Sequence, residues 1–149
     1  MKAIKQTLPF RRFAFLMALL TIAGCAAISS FDQYAYTQTT SGKVDALNVM
    51  DLATETYDVH KTLVKELETK LQKIYEYEKN RPKNEISTQM WDKLLAKEGH
   101  LLGGFLARWK EEDKLNPAFI TEMKKIVDQA FDQIAGLESK KIKKSQVSN

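Results

Sequence analysis

Cysteine occurs once in 149 residues, as Cys25. A lone thiol closes no internal disulfide, and one ligand does not make a metal site. Proline is found three times and glycine six, both placed as punctuation between stretches of apolar periodicity. Internal repeats are missing and strand signals are few, so the pattern points to helices. Long hydrophobic runs are lacking too. The longest, Phe13 to Ile22, has ten residues, too few to span a bilayer core of roughly 30 Å. No acidic residue precedes Asp32. Also absent are His-Glu-x-x-His, a GxGxxG or Gly-Lys-Ser/Thr phosphate loop, Gly-x-Ser-x-Gly and Ser-x-x-Lys. With these signatures missing, we expect no enzyme, no catalytic residues and no metal or other cofactor.

The first twenty-five residues carry a recognisable order. Lys2, Lys5, Arg11 and Arg12 form a basic region, and the ten-residue apolar run has the length of a signal-peptide core. Small residues then lead to Ile22-Ala23-Gly24-Cys25, which resembles the lipobox of bacterial lipoproteins. The resemblance covers the signal region alone. It implies export, diacylglyceryl transfer to the Cys25 thiol, cleavage between Gly24 and Cys25, and N-acylation of the new terminus. These chains would be the only groups carried. The competing reading is an ordinary signal peptide with an incidental cysteine. Arg11-Arg12 suggests a twin-arginine signal, but Phe13-Ala14-Phe15-Leu16 fits that pattern only loosely. Each buried CH₂ contributes about 0.8 kcal/mol, and stable anchoring takes more than one chain, which several acyl groups on one residue provide. Ala26 is not the aspartate associated with inner-membrane retention. The resemblance therefore implies the outer membrane, periplasmic face, in a two-membrane host.

Removing the leader changes the meaning of the charge. The full chain has 23 basic and 19 acidic residues and a net charge of +4. The four-charge excess equals the four basic residues of the leader. A neutral mature chain in this compartment is not expected to bind nucleic acid. One asymmetry remains, the tail Lys140-Lys141-Ile142-Lys143-Lys144. It reads either as a contact for anionic lipid or as a solvated helix end where cations suit the macrodipole.

We expect an all-α fold, an elongated hairpin or bundle with one long heptad-bearing helix, kinked middle helices and a C-terminal helix. The divisions are 1–24 as signal, 25–42 as lipidated terminus and tether or helix start, 43–137 as helical domain, and 138–149 as a basic disordered tail. Within 25–42, Ser30 is a candidate helix cap. From residue 43, Met50, Ala53, Tyr57, His60, Val64, Leu67, Leu71 and Ile74 alternate steps of three and four, a seam sustained over more than three heptads. Pro82 should stop this helix near Asn80. Ser87 is a candidate cap for the next helix. A break is expected between 99 and 104, because helix through three glycines costs about 3 kcal/mol relative to alanine. Asn116-Pro117 opens the last helix, with Leu115 and Ile120 as a staple. A continuous helix over 43–79 would be about 55 Å long, out of proportion to a domain whose radius of gyration is roughly 14 Å. That mismatch suggests a molecule that reaches away from the membrane or meets another molecule.

The candidate association seam is thus Tyr57, His60, Val64, Leu67, Leu71 and Ile74, which would bind a protein partner or a second copy. Candidate lipid contacts are Leu101, Leu102, Phe105, Trp109 and Lys140, Lys141, Lys143 and Lys144. His60 and His100 read more readily as packed and exposed histidines than as ligands. Glu111-Glu112-Asp113 reads as a solvated acidic turn, and the aromatic set from Tyr75 to Phe131 as core more than groove. The function expected is a non-catalytic, membrane-anchored envelope lipoprotein that mediates association in the periplasm. The alternatives are a lipid or hydrophobic-ligand binder, supported if a cavity separates the middle helices from the last one, and an immunity or exclusion lipoprotein.

Overall fold

Residues 33–42, open between tether and helix, are helical in the computed structural model, which describes residues 29–139. Helix α1 (Gln33–Asp51) buries Ala35, Thr39, Gly42, Ala46, Val49 and Met50 on one face. The residues that look like poor helix formers are therefore a small-residue stripe at helical spacing, which lets neighbouring rods approach closely. A Cβ on Gly42 would lie 3.0 Å from Leu71 Cδ2 and 3.3 Å from Ile74 Cδ1. The cap is Asp32 rather than Ser30. Its Oδ1 accepts from the Ala35 N–H at 2.9 Å, and Phe31 packs on Tyr36 with ring centroids 6.4 Å apart, a staple one residue outside the cap.

The seam over 43–79 is not one helix. A 3₁₀ turn (Leu52–Thr54) and an extended Glu55 separate α1 from α2 (Tyr57–Lys79). Two arms that face one core keep the same apolar phase, so the period runs across the turn although the backbone does not. The broken backbone is satisfied by the opposite loop. Leu115 N–H donates to the Ala53 carbonyl at 2.8 Å, and Tyr57 N–H to the Asp113 carbonyl at 2.9 Å. Trp109 Nε1 donates to the Glu55 carbonyl at 3.0 Å. The expected 55 Å rod is replaced by a helical hairpin.

Three further helices follow among the described residues: α3 (Glu85–Leu95), α4 (Leu102–Glu112) and α5 (Pro117–Glu138). Ser87 does not cap α3; Asn84 takes that place. Asn116 caps α5 as expected, accepting from Ala118 N–H at 2.8 Å. The break between α3 and α4 falls at 96–101, earlier than the glycine pair. Gly103 and Gly104 lie in the first turn of α4 because the incoming chain crosses them at contact distance. A Cβ on Gly104 would sit 1.8 Å from the Gly99 carbonyl oxygen, and one on Gly103 2.3 Å from that of Leu95.

The order is an up-down-up-down bundle whose third rod is broken into α3 and α4. α1 packs on α2 and α5, and α3 lies between α2 and α5. At 1.5 Å per residue α2 and α5 are each about 33 Å long and α1 about 28 Å, so the rods match in length. Trp91 meets Phe131 edge-on at 5.8 Å and Phe105 stacks on Phe119 at 6.0 Å. Aromatic packing thus fills the space between the middle helices and α5 at these two points. Lys43 bridges α1 to Asp128 (2.7 Å) and Asp132 (2.6 Å) on α5. No helix among the described residues is long and apolar enough to cross a membrane.

The two glycine environments predict different costs. Gly104→Ala forces backbone to move and should destabilise the fold by about 3 kcal/mol. Gly42→Ala crowds the ends of Leu71 and Ile74 and meets the Phe131 ring at ordinary contact distance, and its gain in helix propensity offsets much of the crowding, for a net change below about 1 kcal/mol. Denaturant unfolding of both variants checks the contrast.

Candidate functional sites: a buried ionic cluster and two clefts

Arg81 follows α2 in the turn that carries Pro82 and Lys83, the latter at φ 60°. Its NH1 donates to Glu78 Oε2 at 2.9 Å and to Glu138 Oε2 at 2.5 Å. Its NH2 donates to Ser29 Oγ at 2.6 Å and to the Ser30 carbonyl at 2.8 Å. Asn84 Nδ2 donates to Glu78 Oε2 at 2.5 Å, and Ser87 Oγ to Glu138 Oε1 at 3.2 Å. Asp32 Oδ2 accepts from the Tyr77 hydroxyl at 2.8 Å and lies 3.8 Å from Arg81 Nε. One guanidinium therefore joins the segment before α1, the end of α2 and the end of α5, with Asn84 and Ser87 bringing in the start of α3.

The charge balance of this cluster is uneven. The Glu78 and Glu138 side chains are 0% and 1% exposed and share a single arginine that is 9% exposed. Burial pushes the Glu78 carboxyl above the ordinary carboxylate range, and the neighbouring Glu138 adds to the shift. Glu78 Oε1 is buried without a partner, the oxygen on which a proton would sit. A protonated Glu78 leaves one carboxylate facing one guanidinium, which lowers the cost of burying the set. Asp32 behaves oppositely: the Ala35 N–H and the Tyr77 hydroxyl hold it below the usual range.

Among the clefts that open elsewhere on the described residues, two are lined by leucines. The larger, about 630 Å³, lies between α2 and the broken third rod. Leu71, Leu95, Leu102 and Leu106 supply its apolar lining, and Lys65, Lys73, Lys97, Glu68 and Glu76 its charged rim. The smaller, about 390 Å³, lies between α1 and α2 and is lined by Val49, Leu52, Leu63 and Leu67 with Asp45, Glu66 and Lys70.

The structure sorts the sequence candidates. Val64, Leu67, Leu71 and Ile74 are buried in the core, so the seam is closed within the chain; this corrects its assignment as a surface for partners. Tyr57 packs edge-on against Trp109 at 5.5 Å. His60 is half-buried, with Nε2 2.8 Å from Glu55 Oε2. Leu102, Phe105 and Trp109 are buried and Leu101 half-buried, so that segment faces inward and offers no apolar stripe to a bilayer, again a correction. Glu111, Glu112 and Asp113 are exposed, Glu112 pairing with Arg108 at 2.7 Å. Gly24, Cys25, Lys140, Lys141, Lys143 and Lys144 lie outside the described residues. Sequence reasoning missed Glu78, Arg81 and Glu138, although a signal was present. Glu78 continues the register of Leu71 and Ile74, and Glu138 that of Phe131 and Ile134, so both acids occupy core positions.

No protein-family model matches the chain, and comparisons with curated proteins and with solved structures find no match either.

The raised Glu78 fixes the sign of a pH effect. The folded state holds a proton that the unfolded state releases at the ordinary glutamate value, so this group's contribution to stability is lost as pH rises from that value through the folded one. Glu78→Gln removes the titration. Thermal unfolding between about pH 4 and about pH 8 should show a flatter profile in the variant; parallel profiles would contradict the assignment.

Proposed function

We propose that this chain is a non-catalytic lipoprotein, held through acylated Cys25 at the periplasmic face of the outer membrane, whose helical domain associates with another protein or a second copy. The observation that carries the reading is Ile22-Ala23-Gly24-Cys25 behind a basic and then apolar leader. The buried ionic cluster is consistent with a structural role, since its charged groups hold chain segments together. It also grips Ser29 and Ser30. Ser29 is four residues beyond Cys25, a reach of about 14 Å at most, so the bundle is held close to its anchor.

The opposite end supports association. Val59 is 71% and Leu63 41% exposed at the start of α2, and Leu63 lines the smaller cleft. Val59 and Tyr77 are eighteen residues apart on one helix, about 27 Å, which puts this apolar patch at the far end of the bundle from Ser29. Native mass spectrometry of protein extracted from its own membranes tests both parts. We expect a mass beginning at acylated Cys25 and a dimer or co-extracted protein that is lost in Val59→Asp/Leu63→Asp. An uncleaved terminus contradicts the anchoring; a bare monomer contradicts the association.

One observation favours a second reading. The larger cleft has the volume and apolar lining of small-molecule sites, which run from about 300 to 1,000 Å³. A hydrophobic-ligand binder would appear in the same spectrum as a monomer with a non-covalent lipid adduct.

A further inference from the structure

Phe31, Tyr34 and Tyr77 are exposed large aromatics, 49%, 56% and 39% respectively, and they gather at one end of the bundle. Tyr34 meets Tyr77 at 4.9 Å between ring centroids, while Asp32, between Phe31 and Tyr34, accepts from the Tyr77 hydroxyl. These rings are fixed rather than frayed, because the Asp32 cap and the Arg81 cluster pin the backbone that carries them. We infer that this aromatic end is seated in the headgroup region of an anionic bilayer, so that the bundle stands on the membrane with its long axis away from it.

The argument is one of chain length and charge, and it rests on the anchoring reading above. Ser29 and Glu138 both bond Arg81, so the chain enters and leaves the described bundle at this end. Cys25 is six residues before Phe31, a span of about 21 Å at full extension. Acyl chains on Cys25 therefore keep Phe31, Tyr34 and Tyr77 near the lipid surface, whereas Val59 is about 27 Å further along α2. Lys140, Lys141, Lys143 and Lys144 follow Glu138 within six residues, and lysines near an anionic surface contribute about 1 kcal/mol each. Tyrosine suits the membrane–water boundary because its ring is apolar and its hydroxyl is not. Two exposed tyrosines and a phenylalanine, at the end from which the chain runs back to Cys25 and on to four lysines in sequence, thus match a lipid headgroup layer in polarity and charge.

The acylated full-length protein, reconstituted in phosphatidylethanolamine–phosphatidylglycerol vesicles, provides the test by hydroxyl-radical footprinting. Phenylalanine and tyrosine rings react faster than aliphatic side chains at equal access. On a bundle clear of the membrane, Phe31, Tyr34 and Tyr77 should therefore be modified ahead of Val44 and Ile126, exposed aliphatic side chains outside both the aromatic end and the association patch. The inference predicts the reverse order, with suppression of the three aromatics outweighing their faster intrinsic reaction. In Phe31→Ser/Tyr34→Ser, which also removes the Phe31–Tyr36 and Tyr34–Tyr77 contacts, the ratio of Tyr77 modification in vesicles to that in detergent should rise towards one while the unfolding temperature stays within a few degrees of wild type. Full modification of the aromatics in protein whose mass shows acylated Cys25 overturns the inference and leaves the anchoring intact. Protection that weakens as protein density in the vesicles is lowered also overturns it, in favour of a second copy as the occupant. A Cys25 without lipid overturns both.

Discussion

Arg81 is the constraint on which the bundle's geometry depends. Its planar fork of donors reaches two buried carboxylates, a serine hydroxyl and a backbone carbonyl, and the groups it joins belong to segments far apart in sequence. Taking one partner from a buried ion pair costs about 3–5 kcal/mol, because the remaining charges stay in a poor solvent. That is a large part of the 5–15 kcal/mol by which domains are typically stable. Protonation of Glu78 would make the arrangement tolerable: burial and then the nearby Glu138 push its carboxyl up, and its Oε1 has no partner.

The consequence is a bundle with two unlike ends. At the Arg81 end the start of α1 and the close of α5 are locked together. At the other end the turn after α1 and the loop after α4 exchange backbone hydrogen bonds. Between them the rods are matched in length, with small residues on α1 and aromatics on α3, α4 and α5 filling the interior. Directionality follows from this. A lipid on Cys25 would fix the Arg81 end near the bilayer and leave Val59 and Leu63 outermost, so the proposed anchoring and association would draw on opposite ends of the bundle.

Much of the fold was legible in sequence. The all-helical class followed from sparse proline and glycine, and the Pro82 stop and the Asn116-Pro117 start follow from local chemistry that tertiary contacts do not alter. The break at Leu52–Thr56 was not legible, because an apolar period reports which face is buried and is blind to a hairpin whose arms bury the same face. At Thr39 and Gly42 tether and helix both stayed open in sequence, because helix propensity says nothing of close packing between rods. Ser30 and Ser87 were plausible caps that lost to Asp32 and Asn84. Ser87 instead faces Glu138, a partner fifty-one residues away. The ionic cluster was half legible: two glutamates at core register are anomalous on sight, but their meeting at Arg81 is a property of the folded chain.

Hydrogen exchange on full-length Arg81→Met protein tests the central claim most directly. If Arg81 fastens this end of the bundle, amides in the first two turns of α1 and the last two of α5 should lose protection. Those around Trp109, Leu115 and the start of α2 should keep theirs, because their hydrogen bonds lie at the opposite end. Unchanged protection throughout, or an equal loss in every helix, would show that the two ends are not independently held and that Arg81 does not organise the anchored one.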